Sequence, residues 1–156
     1  VSFLWRFHSA HHQDLDMDAS TALRFHFGEM LMSVPFRAAQ ILVIGTLPQA
    51  FQLWQGLLFV SILFHHSNWA IPEKLDRWLS MFVVTPRLHG IHHSILEREV
   101  NSNWSSGLSI WDRLHGTYRD DVPQEEIIIG VDGLLEPDQV TLPEVLSLPF
   151  RRDVPL

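Results

Sequence analysis

The sequence predicts an all-α fold, and three patterns carry that expectation. H-x-x-H-H occurs twice, as His8, His11, His12 and as His89, His92, His93; on a helix, positions i, i+3 and i+4 share one face. Residues 38–72 contain no Lys, Arg, Asp or Glu, in a chain that is 19% charged. Gly45-Thr46-Leu47-Pro48 then breaks this uncharged stretch, as a helical hairpin requires.

Taken in order, the first histidine cluster sits on an N-terminal helix. The hairpin arms are expected over residues 30–46 and 48–64, with Pro48 at the first helical position. Each arm is about 17 residues, the low end for a membrane span. Gln40, Gln49, Gln52 and Gln55 interrupt the apolar character. Hydropathy alone therefore leaves two readings open, a membrane hairpin and a buried hairpin of a soluble helical protein. Six Trp and ten Phe fit both a membrane interface and an ordinary core.

Residues 73–88 read as amphipathic, with Leu75, Trp78, Leu79 and Phe82 at helical spacing. Pro86 disturbs that helix just before the second cluster. Residues 101–107 are turn-rich, and a short helix over 108–114 ends at Gly116. The remainder holds one strand-like run, 127–131, and a short helix over 142–148. Thr141 is its expected N-cap, with Glu144 three residues on as in a capping box. Two units result: residues 1–119, and a C-terminal tail of residues 120–156. The first carries nine basic and nine acidic side chains. The tail carries nine acidic and two basic, so the whole net charge of -7 lies there. The simplest reading of the tail is a solvated surface. No basic stripe exists, which argues against nucleic acid. The N-terminus starts Val1-Ser2-Phe3-Leu4-Trp5 and does not read as a signal peptide; it reads as a chain cut partway along a helix.

The histidines carry the chemistry. Two clusters offer six imidazole nitrogens, more than the three or four ligands usual for one zinc, so two metal ions are expected. Cysteine is absent, which leaves nitrogen and oxygen ligands and favours iron, manganese or catalytic zinc. His65 and His66 end the second apolar arm, where ionisable residues are functional candidates. Carboxylates commonly hold the far nitrogen of a ligating imidazole. Asp14 is close enough to the first cluster for that, whereas Asp16, Asp18, Glu97 and Glu99 fit solvated loop charges or helix caps. His26 and Glu29 are three apart and share a helical face.

With these residues in view, HSAHHQD (8–14), LRFHFGE (23–29), FHHSNW (64–69), TPRLHGIHHS (85–94) and NSNWSSGLSIWDRLHGTYR (101–119) resemble, in that order, the fatty acid hydroxylase / sterol desaturase superfamily. The resemblance covers about residues 5–120. It implies an integral-membrane di-iron oxygenase, with a cytosolic helical cap that holds the histidine site above membrane helices. It implies a lipid substrate, sterol or fatty acyl, hydroxylated or desaturated with dioxygen. Electrons come from a small redox protein of cytochrome b5 or ferredoxin type. Two iron ions are the implied cofactor, with zinc as a substitute. The implied ligands are His8, His11, His12, His66, His89, His92 and His93. Arg24, His26 and Glu29 are implied as supporting or structural, and Asn68, Asn103, Trp111 and Asp112 as structural or cap-forming positions; Asp14, His65 and Asn68 join His26 and Glu29 as candidate supports of the ligands.

This sequence departs from the family pattern in places. Phe27 stands where Pro is usual, Trp104-Ser105 where Tyr-Gly is usual, and His115 where Phe is usual. The family also has an earlier histidine pair that nothing before His8 supplies. The expectation is thus an N-terminally truncated fragment that by itself binds metal poorly and turns over little. A catalytically silent membrane protein of the same fold and a histidine-rich metal-dependent hydrolase are the alternatives.

Overall fold

The computed structural model describes residues 2–151. It is all-helical, with helices α1 (Ser2–His12), α2 (Phe27–Ile44), α3 (Pro48–His65), α4 (Glu73–Leu79), α5 (Pro86–His92), α6 (Glu97–Val100), α7 (Ile110–His115) and α8 (Leu142–Ser147). Short 3-10 turns lie at Thr21–Leu23, Gln124–Glu126, Pro137–Val140 and Leu148–Phe150.

The hairpin forms where Gly45 and Pro48 place it. Gly45 adopts the left-handed conformation (φ 69°) that a C-cap requires, and its N–H donates to the Ile41 carbonyl at 2.9 Å. Pro48 opens α3, where its missing N–H costs nothing. The first arm begins at Phe27, earlier than expected, because the His26 side chain caps it by accepting the Gly28 N–H at 3.0 Å. The arms bury little: α2 has no buried residue, and α3 buries only His65. Among the described residues, one helix, α2, is long and apolar enough to cross a membrane.

The rest packs around α1. Ala10 forms the apolar core with Val131, Leu134, Val145 and Leu148, and the Arg6 guanidinium donates to the Arg151 carbonyl at 2.6 Å. Apolar residues of the acidic C-terminal segment thus close over α1 while most of its carboxylates face solvent.

Several local expectations need correction. The run 127–131 forms no strand; Ser94–Ile129 and Val131–Leu134 are isolated bridges. Its partner is only the short turn between α5 and α6, bonded through Ile95 N–H to Ile128 O and Gly130 N–H to His93 O; no ladder can extend from so short a segment. The single helix expected over 73–88 is two. Pro86 does not end a helix but starts α5, and the Thr85 hydroxyl caps it by accepting the Leu88 N–H at 3.4 Å. Thr141 precedes α8 without a side-chain cap bond. Its expected partner Glu144 is drawn off by Arg151, at 2.6 Å.

Two buried side chains clamp the connection between α5 and α7. Asn103, at φ 48°, donates to the carbonyls of Leu88 and Arg119, both at 2.8 Å, and accepts from the Arg119 N–H at 2.9 Å. The Asp112 carboxylate accepts from the N–H groups of Trp104 (2.8 Å) and Ser105 (3.1 Å) and from the Thr117 hydroxyl (2.7 Å). Asp112→Ala leaves those donors unpaired. It should lower unfolding stability by about 2–3 kcal/mol, measured by denaturant titration in detergent; an unchanged midpoint would remove Asp112 from this role.

Candidate metal centre

Three elements deliver the histidines. α1 carries His8, His11 and His12; the end of α3 carries His65 and the following turn His66; α5 carries His89 and His92, with His93 as its cap. The rings converge into two groups. His11, His66, His89 and His93 form one, and His8, His12 and His92 the other; within each, the ligand atoms lie within 4.8 Å of one another. The two H-x-x-H-H clusters are therefore interleaved. Each helix gives an i, i+4 pair to one group and its remaining histidine to the other. His12 and His93 stack between the groups, with ring centres 4.2 Å apart.

The nitrogens point inward in a way that fits a metal. In the four-histidine group, Nε2 atoms are separated by 3.0 Å (His11–His66), 2.9 Å (His66–His89) and 3.1 Å (His89–His93). Nitrogens bound to one ion at about 2.0–2.1 Å, with bond angles of about 90–110°, lie about 2.8–3.4 Å apart. The far nitrogens settle the protonation. His11 Nδ1 lies 3.1 Å from the Arg24 carbonyl and His66 Nδ1 2.8 Å from that of Ile62. A carbonyl only accepts, so each Nδ1 must carry the hydrogen and each Nε2 is a bare lone pair in the neutral ring. Two bare lone pairs 3.0 Å apart repel unless a cation lies between them. In the second group, His92 Nδ1 donates to the carbonyls of Val100 (2.9 Å) and Ser102 (3.0 Å), and His8 Nδ1 meets the Glu29 carboxylate at 3.1 Å. Their Nε2 atoms are likewise left free to ligate.

Burial keeps these rings neutral, the form that binds metal. It pushes His11, His12, His89 and His93 well below their ordinary value of 6.5, with neighbouring imidazoles adding to the effect. Burial also lowers His66 to about 4 and His92 to about 3. Aromatic side chains wall the groups. Phe25 stacks on His11, and Trp5 and Trp104 set their edges against His12 and His92, with ring centres 4.7–4.9 Å apart.

The expected supports are distributed differently. Glu29 holds His8, as above. Asp14 holds no imidazole; it pairs with Arg24 at 2.8 Å and accepts from the Thr21 hydroxyl at 2.7 Å, fixing the residue whose carbonyl orients His11. His26 spends both nitrogens elsewhere, Nδ1 on the α2 cap and Nε2 on the Leu146 carbonyl at 3.2 Å. Asn68 is exposed. His65 is buried, its ring centre 4.1 Å from that of His89, and both its nitrogens lack a hydrogen-bond partner among the described residues. Sequence reasoning missed the carbonyls of Arg24, Ile62, Val100 and Ser102, which no side-chain pattern encodes.

Fold and site together define an all-helical protein with two adjoining histidine groups of metal-binding type. The fatty acid hydroxylase family model matches residues 1–117. An ornithine lipid hydroxylase (OlsE) of Rhizobium tropici is 33% identical over 132 residues, covering 83% of this chain and 38% of that protein. Alkylglycerol monooxygenases are also similar: that of Xenopus tropicalis is 29% identical (83% of this chain, 27% of its own length), and that of Homo sapiens 26% identical (95% and 32%). The chain belongs to the fatty acid hydroxylase family. It spans well under half the length of these relatives. No solved structure matches it significantly.

Two outcomes are expected. Unfolded chains take up protons at histidine near 6.5 while the folded rings of His66 and His92 resist until about 4 and about 3. Stability of the metal-free protein is therefore full above the unfolded value and is lost as pH falls through that window. Denaturation measured across it should show this decline, and a flat profile would contradict the buried neutral rings. Glu29→Ala should weaken metal binding by about 10–100-fold, read by metal titration; unchanged affinity would dismiss Glu29 as the orienting partner of His8.

Proposed function

We propose that this chain carries the metal-binding core of a membrane-bound di-iron oxygenase that hydroxylates or desaturates a lipid C–H bond. One observation carries the reading: seven inward-facing imidazoles divide into two adjoining groups. The groups face each other inside a member of a family whose relatives include lipid hydroxylases and monooxygenases. His11, His66, His89 and His93 would hold one iron, and His8, His12 and His92 the other. Iron bound there supplies activation of dioxygen and removal of hydrogen from an unactivated carbon. An all-nitrogen set of neutral imidazoles suits iron and also admits zinc.

The chain's own residues do the positioning. The carbonyls of Arg24, Ile62, Val100 and Ser102 and the Glu29 carboxylate fix which ring nitrogen faces inward. Phe25, Trp5 and Trp104 restrict water around the rings. His66 lies where α3 ends, so one ligand sits at the mouth of the apolar hairpin. With the hairpin in the bilayer, an acyl or sterol chain reaches the site without crossing water. Exposed apolar arms in α2 and α3 support that placement, and the family resemblance supports a cytosolic histidine side. Electrons are assigned to a small redox protein of cytochrome b5 or ferredoxin type.

The test uses the full protein purified anaerobically with iron. His11→Ala and His92→Ala, one from each group, should each abolish product detected by lipid mass spectrometry. Each should also lower iron content from about two per chain; full activity in either variant would sink the ligand assignment. Intact protein that retains iron yet consumes no oxygen with any reductant would support the catalytically silent reading.

A further inference from the structure

We infer that the outer face of α4 and α7 is a bilayer-contact surface that seats the histidine-bearing part of the chain on the lipid headgroup boundary beside α3. This rests on the membrane reading proposed above.

Around Asp76 and Asp112 the two helices are inside out for a water-facing surface. Asp76 and Asp112 are turned inward, each 2% exposed, and Ser80 and Ser109 beside them are buried too, whereas Glu73 and Arg77 of α4 are exposed and pair with each other at 2.6 Å. Outside lie Trp78 (55% exposed), Phe82 (57%), Trp111 (53%) and Leu114 (68%), with Met81 and Ile110 alongside. A helix in water presents the opposite arrangement. Hydrogen bonds join the two parts into one face. Ser109 N–H donates to the Phe82 carbonyl at 3.1 Å, Val83 bridges Leu108, and the Arg113 guanidinium reaches the Ser80 carbonyl at 3.3 Å. Arg113 is also drawn over the Tyr118 ring, 3.6 Å from its centre, rather than standing free beside Leu114. An apolar face of this extent on a folded protein marks an interaction site.

Continuity with the hairpin identifies the occupant as lipid. A Cβ placed on Gly107 would lie 3.8 Å from the Ser61 hydroxyl, and Ser61 is one turn before the end of α3. The strand of chain leading into α7 therefore runs alongside the last turn of an exposed apolar arm. Trp69, just past that arm, meets Phe64 edge-on at 6.3 Å. α4 has seven residues and α7 six, far too short to span, so they lie along the boundary rather than cross it. Two exposed Trp side chains at that level are what a membrane interface favours.

The chain contains no cysteine, so a single cysteine in it gives one labelling position. Leu114→Cys and Ile110→Cys report on the proposed face, Leu57→Cys on α3, and Asp138→Cys on the solvated side. All four positions are exposed, so a spin label there displaces nothing buried. Nitroxide-labelled protein is reconstituted in phosphatidylcholine vesicles and probed with dissolved oxygen, which partitions into lipid, and with a polar nickel chelate. The expected result is oxygen-dominated collision at Leu114, Ile110 and Leu57 and chelate-dominated collision at Asp138. Chelate-dominated collision at Leu114 and Ile110 with oxygen-dominated collision at Leu57 overturns the proposed face and leaves the membrane reading standing. Shielding of Leu114 and Ile110 from both reagents also overturns it, since protein then covers the face. A chelate-dominated Leu57 removes the membrane reading, and this inference with it.

Discussion

Imidazole burial is the constraint on which the structure depends. His8, His11, His12, His65, His66, His89, His92 and His93 share one interior volume between α1, α3 and α5, and all but His8 are buried. The apolar core beside them is small, with Ala10, Val131, Leu134, Val145 and Leu148 as its cluster. A polar nitrogen buried without a partner costs roughly 1–3 kcal/mol, and His12, His65, His89 and His93 each have at least one such atom. An interior of this kind is poor as a hydrophobic core and sound as a ligand shell. Cations that satisfied the bare nitrogens would contribute to folding as well as to chemistry.

The surrounding architecture serves to aim rings rather than to bury apolar area. Helix ends do much of the aiming. The Ile62 carbonyl, in the last turn of α3, holds His66; the Val100 carbonyl, at the end of α6, holds His92; and Arg24, just before α2, holds His11 and is itself held by Asp14. A carbonyl oxygen has two lone pairs, so that of Ile62 accepts both the His66 backbone N–H, at 3.1 Å, and the His66 ring. Asn103 and Asp112 then pin the loops between α5 and α7, so that a helix as short as α5 keeps its orientation.

Much of this was legible in the sequence. The hairpin was, because Gly45 and Pro48 act locally and the uncharged run on either side is long. The doubled H-x-x-H-H was, because helical spacing needs no tertiary information. Its interleaving was not, since which histidine joins which group depends on how α1 and α5 face each other. Pro86 was misjudged because a proline that ends one helix and a proline that starts the next look identical without the Thr85 cap bond. The run 127–131 has strand composition, but a strand needs a partner, and the turn after α5 is too short to be one. Asp14 was placed at the right spot with the wrong neighbour: proximity in sequence to His11 does not reveal Arg24 competing for its carboxylate.

Interleaving also sets what kind of change the site can absorb. Within each cluster the two intervening residues supply no imidazole, and only the spacing is shared by both groups. Substituting an intervening residue perturbs packing. Inserting or deleting one residue rotates the downstream histidine by about 100° around the helix. Because each cluster serves both groups, that single slip would withdraw an imidazole from one and misdirect an imidazole of the other. The motif is therefore a ruler whose length matters more than its filling, and variation in such a chain is tolerated as replacement but not as a shift in frame along α1 or α5.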